Sequence, residues 1–385
     1  MMTSRERFKA ILKNERHDRP FLWESGFDDA AVARWHQEGL PEGDNPFEYL
    51  GLDRFAQAGI GFHPIPYLKD TVIEENDRFS IIRDEAGGVR RVLKDRFPAS
   101  STRVSATTVL EWTLRDRESW ELIKSRMDPF SAEREDGLRA FFNGEKPVND
   151  GRWSHISGFW GSYDEKDGDP VAVTMTGPTY WTVINAGFEN AAILMIDDPG
   201  LISDMFSHYS WFIVNIVKKI LEKRTPDIVI INDEPCYKGG LFMSPAMYKK
   251  YACPVLEEIV SVFRDAGTEF VFGASEGKIG PVIPLWKAAG INGVMPLDVT
   301  GGTDPVSVRT EHKDLYIIGG IDRTALEDGR DRIRGEIEKT ADVFYREGRA
   351  VPSGDCHFAV SDKVSFDSIC FYIDGLRETW HKYAK

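Results

Sequence analysis

The second half of the sequence alternates between short apolar runs and longer segments whose apolar residues have helical spacing. Strands that alternate with helices form a parallel sheet, because each helix carries the chain back before the next strand begins. The alternation therefore restricts the fold to the α/β class, as an open sheet or a closed barrel. The strand-like runs are VAVTMTG at 171–177, DIVIIND at 227–233, EFVFGASEG at 269–277, INGVMPLD at 291–298, LYIIGGID at 315–322 and RAVPSGDC at 349–356.

Polar and acidic residues stand at the ends of the later runs. They are Asp233 and Glu234, Ser275 and Glu276, Asp298, Asp322, and Asp355, Cys356 and His357. A (β/α)8 barrel gathers the carboxyl ends of all its strands around one mouth, where substrate sites lie. An open doubly wound sheet usually carries a glycine-rich phosphate loop, G-x-G-x-x-G, which this sequence lacks. The sequence therefore predicts an α/β fold of the (β/α)8 TIM barrel type.

The N-terminal part of the sequence adds further elements to the barrel. Thr3 and Glu6 form a capping-box pattern, which predicts a helix over residues 3–13. Between residues 70 and 110, alternating stretches flank a Gly87-Gly88 pair, which is typical of a β-hairpin turn. We expect one domain over residues 1–385, with N-terminal helices and an antiparallel hairpin insertion at about 66–130.

The charge and cysteine content bear on partners and compartment. A formal net charge of −14 argues against a nucleic-acid or anionic-membrane surface, because both need clustered Lys and Arg. The four cysteines form no C-x-x-C pair, and the stretch MMTSRERFKAIL has no apolar signal core. No apolar run approaches the roughly 18 residues that a membrane span requires. We expect a cytoplasmic protein that binds neither nucleic acid nor a membrane.

Two glutamates at strand ends are the first candidates for chemistry. Glu234 would act as a metal ligand or a general base at the mouth, or else would bond loop amides or cap the next helix. Glu276 follows the run EFVF, where a carboxylate is costly to bury unless it is paired or coordinated. Lys278 would supply a structural ion pair instead. The sequence leaves these alternatives open.

The cluster of Asp355, Cys356 and His357 has the side chains that zinc prefers, namely carboxylate, thiolate and imidazole. Adjacent residues on an extended strand point to opposite faces, so one of Cys356 and His357 would point inward unless the chain turns there. Aromatic residues near strand ends and loops, of which Trp23, Phe27, Trp160, Tyr163 and Tyr237 are the candidates, would suit a flat apolar substrate.

Motifs along nearly the whole chain resemble those of the uroporphyrinogen decarboxylase superfamily. They are TSRERFKAILKNERHDRP at 3–20, IEENDRFSIIRDEAGGV at 73–89, WELIKSRMDP at 120–129, TGPTYW at 176–181 with GFEN, INDEP at 231–235 with MSPAMYKKYACP, GVMPLDV at 293–299, and IGGIDRTAL at 318–326 with VPSGDCHFAVSDKVSFD. The resemblance implies a (β/α)8 barrel, in agreement with the strand-end argument.

Two departures separate the chain from the best-known members of that superfamily. Where the decarboxylases carry an R-Q-A-G-R motif, this chain reads W-E-S-G-F at 23–27, without arginine. Where thiol-methylating members carry the zinc motif H-x-C-G, it reads A-S-E-G at 274–277. The chain is more similar to corrinoid-dependent methyltransferases that act on aryl methyl ethers, a branch that also resembles it in WELIKSRMDP.

The resemblance implies methyl transfer from a small methylated substrate, a methoxylated aromatic compound, to the cobalt(I) of a corrinoid carried by a partner protein. A phenolate leaves poorly unless it is protonated or metal-bound, so zinc or a general acid is needed. We predict Glu234, Glu276 and His357 as catalytic residues, and Glu234, Glu276, Cys356 and His357 as zinc ligands. The alternatives are a decarboxylase of a small carboxylic acid that uses Asp298 or Glu234 to move the proton, and a binding protein that has lost its metal.

Overall fold

The computed structural model describes residues 1–59, 64–66, 68–94, 107–142, 166, 168–356 and 360–383. The strands are β1 Ala56–Gly59, β2 Thr71–Glu75, β3 Phe79–Arg83, β4 Val89–Leu93, β5 Thr107–Glu111, β6 Val171–Thr176, β7 Ile228–Asn232, β8 Cys236–Tyr237, β9 Gly240–Leu241, β10 Phe270–Ala274, β11 Gly293–Met295, β12 Tyr316–Ile318 and β13 Ala350–Val351.

The helices are α1 Ser4–Leu12, α2 Asp29–Glu38, α3 Pro46–Tyr49, α4 Arg117–Lys124, α5 Ala132–Phe142, α6 Pro178–Ala186, α7 Phe188–Asp197, α8 Pro199–Leu221, α9 Pro245–Asp265, α10 Ile283–Ala288, α11 Pro305–Glu311, α12 Thr324–Asp328, α13 Arg330–Ala341 and α14 Phe366–Tyr383. A π-helical turn, Asp342–Arg346, continues α13. None of the helices among the described residues is long and apolar enough to cross a membrane.

A parallel sheet of seven strands forms the barrel wall in the order β1-β6-β7-β10-β11-β12-β13. The extended segment 20–27 takes the eighth position. On one side the Asp53 amide, just before β1, donates to the Leu22 carbonyl at 2.6 Å. On the other side, beyond β13, Phe27 forms a parallel bridge with Val360. The predicted (β/α)8 barrel is confirmed.

The strands are apolar on both faces because both faces are covered. On β10, Phe270, Phe272 and Ala274 point into the barrel, whereas Val271 packs against the outer helices. Because side chains alternate along a strand, the residue that continues the inward row past Ala274 is Glu276. The inner row of an apolar strand thus ends in a carboxyl group.

Helix α1 closes the N-terminal end of the barrel. The Phe8 ring lies 5.3 Å from the ring of Phe21, 5.1 Å from that of Phe55 and 5.8 Å from that of Phe270. The predicted capping box is confirmed, since the Thr3 hydroxyl accepts from the Glu6 amide and the Glu6 carboxylate accepts from the Thr3 amide. This cap fixes where the helix begins and therefore where Phe8 enters the barrel.

The insertion is a four-stranded antiparallel sheet, β2-β3-β4-β5, and not a single hairpin. The predicted turn lies between β3 and β4, where Gly87 has a φ of +106° that other residues rarely adopt. The Arg126 side chain, which follows α4, donates to the carbonyls of Pro66 and Glu85 and so holds the sheet against the barrel. The prediction of one domain over residues 1–385 stays a prediction.

Candidate functional site

A tight turn follows β7 at the C-terminal end of the barrel, which we call the mouth. The amides of Asp233 and Glu234 both point at the Ala274 carbonyl, at 3.0 and 3.3 Å. Glu234 has a φ of +41°, in the left-handed region that residues other than glycine seldom occupy. Backbone strain of this kind clusters at functional sites, because the surrounding structure must enforce it.

Asp233 is fully buried and serves the fold. Its carboxylate accepts hydrogen bonds from the Thr179 amide at 2.8 Å and from the Tyr248 hydroxyl. Burial raises the pKa of Asp233 to about 6. These partners join the end of β7 to helices α6 and α9, so that the adjacent Glu234 is held in place.

Glu234, Glu276 and Cys356 meet across the mouth. The Glu276 amide donates to Glu234 Oε2 at 2.9 Å, and the Cys356 thiol donates to Glu276 Oε1 at 2.9 Å. The three residues follow different strands, β7, β10 and β13, and lie far apart in the sequence. The barrel therefore brings together two of the predicted carboxyl groups and the predicted thiol.

The Glu234 carboxyl group is held in its neutral form. Burial raises its pKa to about 8, and the negative charge of nearby Glu276 adds to the effect. The hydrogen bond from the Glu276 amide acts in the opposite direction, without reversing the result. At pH 7 Glu234 is mostly protonated, so it can donate a proton to a bound molecule.

The carboxylates of Asp298 and Asp355 accept hydrogen bonds from backbone amides of the loops at the mouth. Asp298 accepts from the amides of Gly277 at 2.8 Å and Gly301 at 2.7 Å. Asp355 accepts from the amides of Val299 at 3.1 Å, Thr300 at 3.3 Å and Arg323 at 3.2 Å, and burial raises its pKa to about 6. These carboxylates fix the loops that carry Glu276 and Cys356.

Two further residues of the mouth were not among the sequence candidates. Burial raises the pKa of the Tyr180 hydroxyl, and the charges of Glu234 and Glu276 raise it further, so Tyr180 lies near both glutamates. Burial would lower the pKa of Arg323, but the nearby acidic groups, Cys356 first and then Asp355 and Glu276, raise it overall. Tyr180 lies at the start of the helix that follows β6, and Arg323 lies in the loop that follows β12. A position just after a barrel strand was the sequence signal that could have identified both residues.

The predicted aromatic residues have different environments. The Trp23 ring lies 5.5 Å from Phe55 at the barrel interior, whereas the Phe27 ring packs against Trp35 and Phe47 on the outer helices. Tyr237 is exposed on the small β8-β9 hairpin beside the mouth. The roles of these residues in substrate binding stay predictions. Trp160, Tyr163 and His357 lie outside the described residues.

The zinc prediction can be compared with the donor atoms that the structure describes. Glu276 and Cys356 supply a carboxylate oxygen and a sulfur 2.9 Å apart, which are zinc-type donors. Among the described residues, however, no three His, Cys, Asp or Glu side chains are grouped to hold a metal ion. Catalytic zinc sites use three protein ligands, so the donors grouped among the described residues are fewer than such a site requires. Zinc binding by Glu234, Glu276, Cys356 and His357 stays a prediction.

The parallel barrel, with its inner strand rows ending in carboxyl groups, defines a (β/α)8-barrel protein whose site lies at the C-terminal end of the strands. The family model for uroporphyrinogen decarboxylase (URO-D) matches residues 164–353, which include β6 to β13 and the whole Glu234–Glu276 pair. The chain is similar to the uroporphyrinogen decarboxylase superfamily over just under half of its length.

A solved structure with a TM-score above 0.5 shares the fold. A methyltransferase from Methanosarcina mazei is similar over 99% of this chain and 100% of its own, with a TM-score of 0.58 and 13% sequence identity. A protein described as a vitamin-B12-independent methionine synthase from Listeria monocytogenes is 14% identical over 56% of this chain and 65% of its own. Its TM-score of 0.34 is too low to define a shared fold. A search of curated proteins found no match to this sequence.

Proposed function

We propose that this chain transfers a methyl group from a methoxylated aromatic compound to the cobalt(I) of a corrinoid protein. The observation that carries the proposal is the mouth pair, Glu234 and Glu276, in which burial raises the pKa of Glu234 to about 8. A phenolate is a poor leaving group, and a neutral carboxyl group beside the ether oxygen removes that difficulty by protonating it. The fold shared with a methyltransferase is consistent with the same chemistry.

The partner's cobalt(I) would supply the electron pair that forms the new bond to the methyl carbon. The electrons of the broken carbon–oxygen bond stay on the aryl oxygen, and the Glu234 proton moves there to give the phenol. Glu234 is left as a carboxylate and regains its proton from solvent. The Glu276 amide, bonded to Glu234 Oε2, orients the carboxyl group.

Glu276 would raise the pKa of the acid rather than transfer the proton. The charge on Glu276 opposes ionisation of Glu234, so it helps to keep the proton in place until the leaving oxygen becomes basic. The Cys356 thiol holds Glu276 Oε1 and so restricts the position of that charge. The mouth thereby contains an acid whose neutral form is favoured by its surroundings.

The direct test is a methyl-transfer assay. Purified protein is mixed with a reduced corrinoid protein and a methoxybenzene carrying an isotope-labelled methyl group, and labelled methyl-cobalt and phenol are measured together. We expect both products in equal amounts. Absence of transfer from every methoxy-arene tried, with the cobalt held reduced, would reject the proposal. Carbon dioxide release from a small acid without corrinoid would favour the decarboxylase alternative instead.

A further inference from the structure

Glu24 is a buried carboxyl group that the proposed chemistry does not use. It lies in the extended segment 20–27, and only 4% of the residue is exposed. Leu22 packs in the outer layer of the core and Trp23 packs against the inner one, so Glu24 points to the outside of the barrel wall. Within the described part of the chain no cation pairs with it, and burial raises its pKa to about 7. A carboxyl group is costly to bury without a cation, so the groups that it bonds indicate its role.

The partners of Glu24 are a backbone amide and a hydroxyl group. The Gly354 amide, which follows β13, lies 3.0 Å from Oε2 and 3.3 Å from Oε1. The Tyr372 hydroxyl on α14 donates to Oε1 at 2.9 Å. Both carboxyl oxygens are therefore in use. A β-carbon on residue 354 would lie 3.2 Å from Oε2, so glycine leaves room for this close approach.

The Gly354 amide faces the seam where the barrel closes. On the side of β12, the Asp355 amide donates to the Ile321 carbonyl at 3.0 Å, and Gly354 forms a parallel bridge with Ile321. In a parallel sheet the amides of successive residues point to opposite neighbours, so the Gly354 amide points away from β12 and toward segment 20–27. The acceptor that it meets there is the Glu24 side chain.

The turn that Glu24 holds also carries Cys356. This residue stands two positions after Gly354, and its thiol donates to Glu276 Oε1 at 2.9 Å. Two residues span at most about 7 Å of chain, so a shift of the Gly354 backbone is passed on to the thiol. A thiol is a weak donor, and a hydrogen bond weakens steeply when it is misaligned. The bond between Cys356 and Glu276 therefore depends on a carboxyl group outside the barrel.

We propose that Glu24 is a positioning residue of the mouth, which fixes the turn after β13 so that the Cys356 thiol bonds Glu276. Glu24 acts through Gly354 and not by contact with a substrate, because its carboxyl group lies on the outer side of the barrel wall. The effect on catalysis rests on the proposed function, since it takes Glu276 to act on the acid Glu234. The effect on the thiol is independent of that function.

The S–H stretching band in the infrared spectrum reports the hydrogen bond of the Cys356 thiol, and Cys356→Ala assigns the band by its loss. We expect the wild-type band at the lower frequency of a bonded thiol. Glu24→Ala should shift it to the higher frequency of a weakly bonded thiol. Glu24→Gln keeps one acceptor oxygen for the Gly354 amide and should restore most of the wild-type position. Tyr372→Phe is the matched control, because it removes the other bond to Glu24 and should leave the band unshifted.

Methyl-transfer kinetics test the consequence for catalysis. Glu24→Ala should lower kcat by about fivefold to tenfold, the size of one ordinary hydrogen bond, and leave KM for the methoxy-arene within about twofold. Glu24→Gln should recover most of the lost rate, and Tyr372→Phe should retain the wild-type kcat. A shifted thiol band with an unchanged kcat in Glu24→Ala would overturn the catalytic part of the proposal.

A thiol band that Glu24→Ala leaves unshifted would overturn the whole proposal, as would an equal shift in Tyr372→Phe or the absence of a Cys356 band from the wild-type protein. If Glu24→Ala does not fold, Glu24→Leu is measured in its place, because it fills the same space without an acceptor oxygen and should shift the band equally. The spectra need neither corrinoid nor substrate, so failed methyl transfer with the expected band shifts would reject only the proposed function.

Discussion

The two ends of the barrel are built by the same strands and differ in chemistry. Strand β10 begins at Phe270, whose ring lies 5.8 Å from Phe8, and its inward row ends at Glu276. Strand β7 begins at buried Ile228 and leads to Glu234. At the N-terminal end, helix α1 fills the interior with aromatic rings, whereas at the mouth carboxyl groups replace them.

This difference indicates a division of labour along each strand. Burial of apolar side chains at the closed end stabilises the fold, and each large side chain there contributes about 1.5–3 kcal/mol. Burial at the mouth works against stability, because it holds Glu234 neutral at a pH where an exposed glutamate would be ionised. Apolar burial at the closed end therefore offsets the loss of stability caused by the buried acid at the mouth.

The largest expected effect is at the mouth. Glu234→Gln keeps the size and one oxygen acceptor but removes the acidic proton, so kcat for methyl transfer should fall on the order of 100- to 10,000-fold, the usual contribution of general acid catalysis. Single-turnover rates with saturating corrinoid protein measure this step. Glu257→Gln, an exposed position on α9, is the matched control and should retain the wild-type rate. A rate for Glu234→Gln within threefold or so of wild type would exclude the acid role.

At the closed end, substitution of a buried side chain should affect stability alone. Phe8 is fully buried against Phe21, Phe55 and Phe270, so Phe8→Ala should lower the free energy of unfolding by about 3–5 kcal/mol. Urea denaturation measures the loss. At a temperature well below the midpoint, kcat should stay close to the wild-type value. A large loss of kcat in folded Phe8→Ala protein would contradict the separation of the two ends.

The acid should also lower stability in a pH-dependent way. In the folded protein the pKa of Glu234 is about 8, above the 4.5 of an exposed glutamate, so unfolding releases a proton between these values. The stability that depends on protonated Glu234 is therefore fully present below pH 4.5 and is lost as the pH rises toward 8. Glu234→Gln should stabilise the protein by up to about 3 kcal/mol at pH 7 and by little near pH 4. A stability difference that does not change with pH would contradict the raised pKa.

A smaller effect is expected at Tyr180. Tyr180 lies near Glu234 and Glu276, where its hydroxyl could bond the substrate. Loss of one ordinary hydrogen bond in Tyr180→Phe should lower kcat by about threefold to tenfold. Tyr209→Phe is the control, because the Tyr209 hydroxyl bonds the Thr176 carbonyl in the core and should affect stability instead. Equal kcat values for Tyr180→Phe and wild type would remove Tyr180 from the site.

Sequence patterns predicted the features that repeat or are local. The alternation of strands and helices predicted the barrel, the Thr3 and Glu6 spacing predicted the capping box, and the end of EFVF pointed to Glu276. The barrel and the capping box are confirmed because side-chain direction in strands and amide capping in helices depend on near neighbours. The role of Glu276 stays a prediction.

Contacts between distant residues were not visible in the sequence. Glu24 lies within the extended segment 20–27. It accepts hydrogen bonds from the Gly354 amide at 3.0 Å and the Tyr372 hydroxyl at 2.9 Å, and burial raises its pKa to about 7. Phe27 lies in the same segment as Trp23, but its ring packs outward against Trp35. Such pairings depend on barrel closure, which joins residues more than three hundred positions apart.

The central claim is that the mouth holds Glu234 as a neutral acid at neutral pH. Infrared difference spectra between wild type and Glu234→Gln, recorded across the pH range, measure that protonation state directly. We predict a carbonyl band of a neutral carboxyl group at pH 7 that is absent from the variant and disappears in wild type as the pH rises through about 8. A difference spectrum at pH 7 that contains only ionised carboxylate bands would contradict the account.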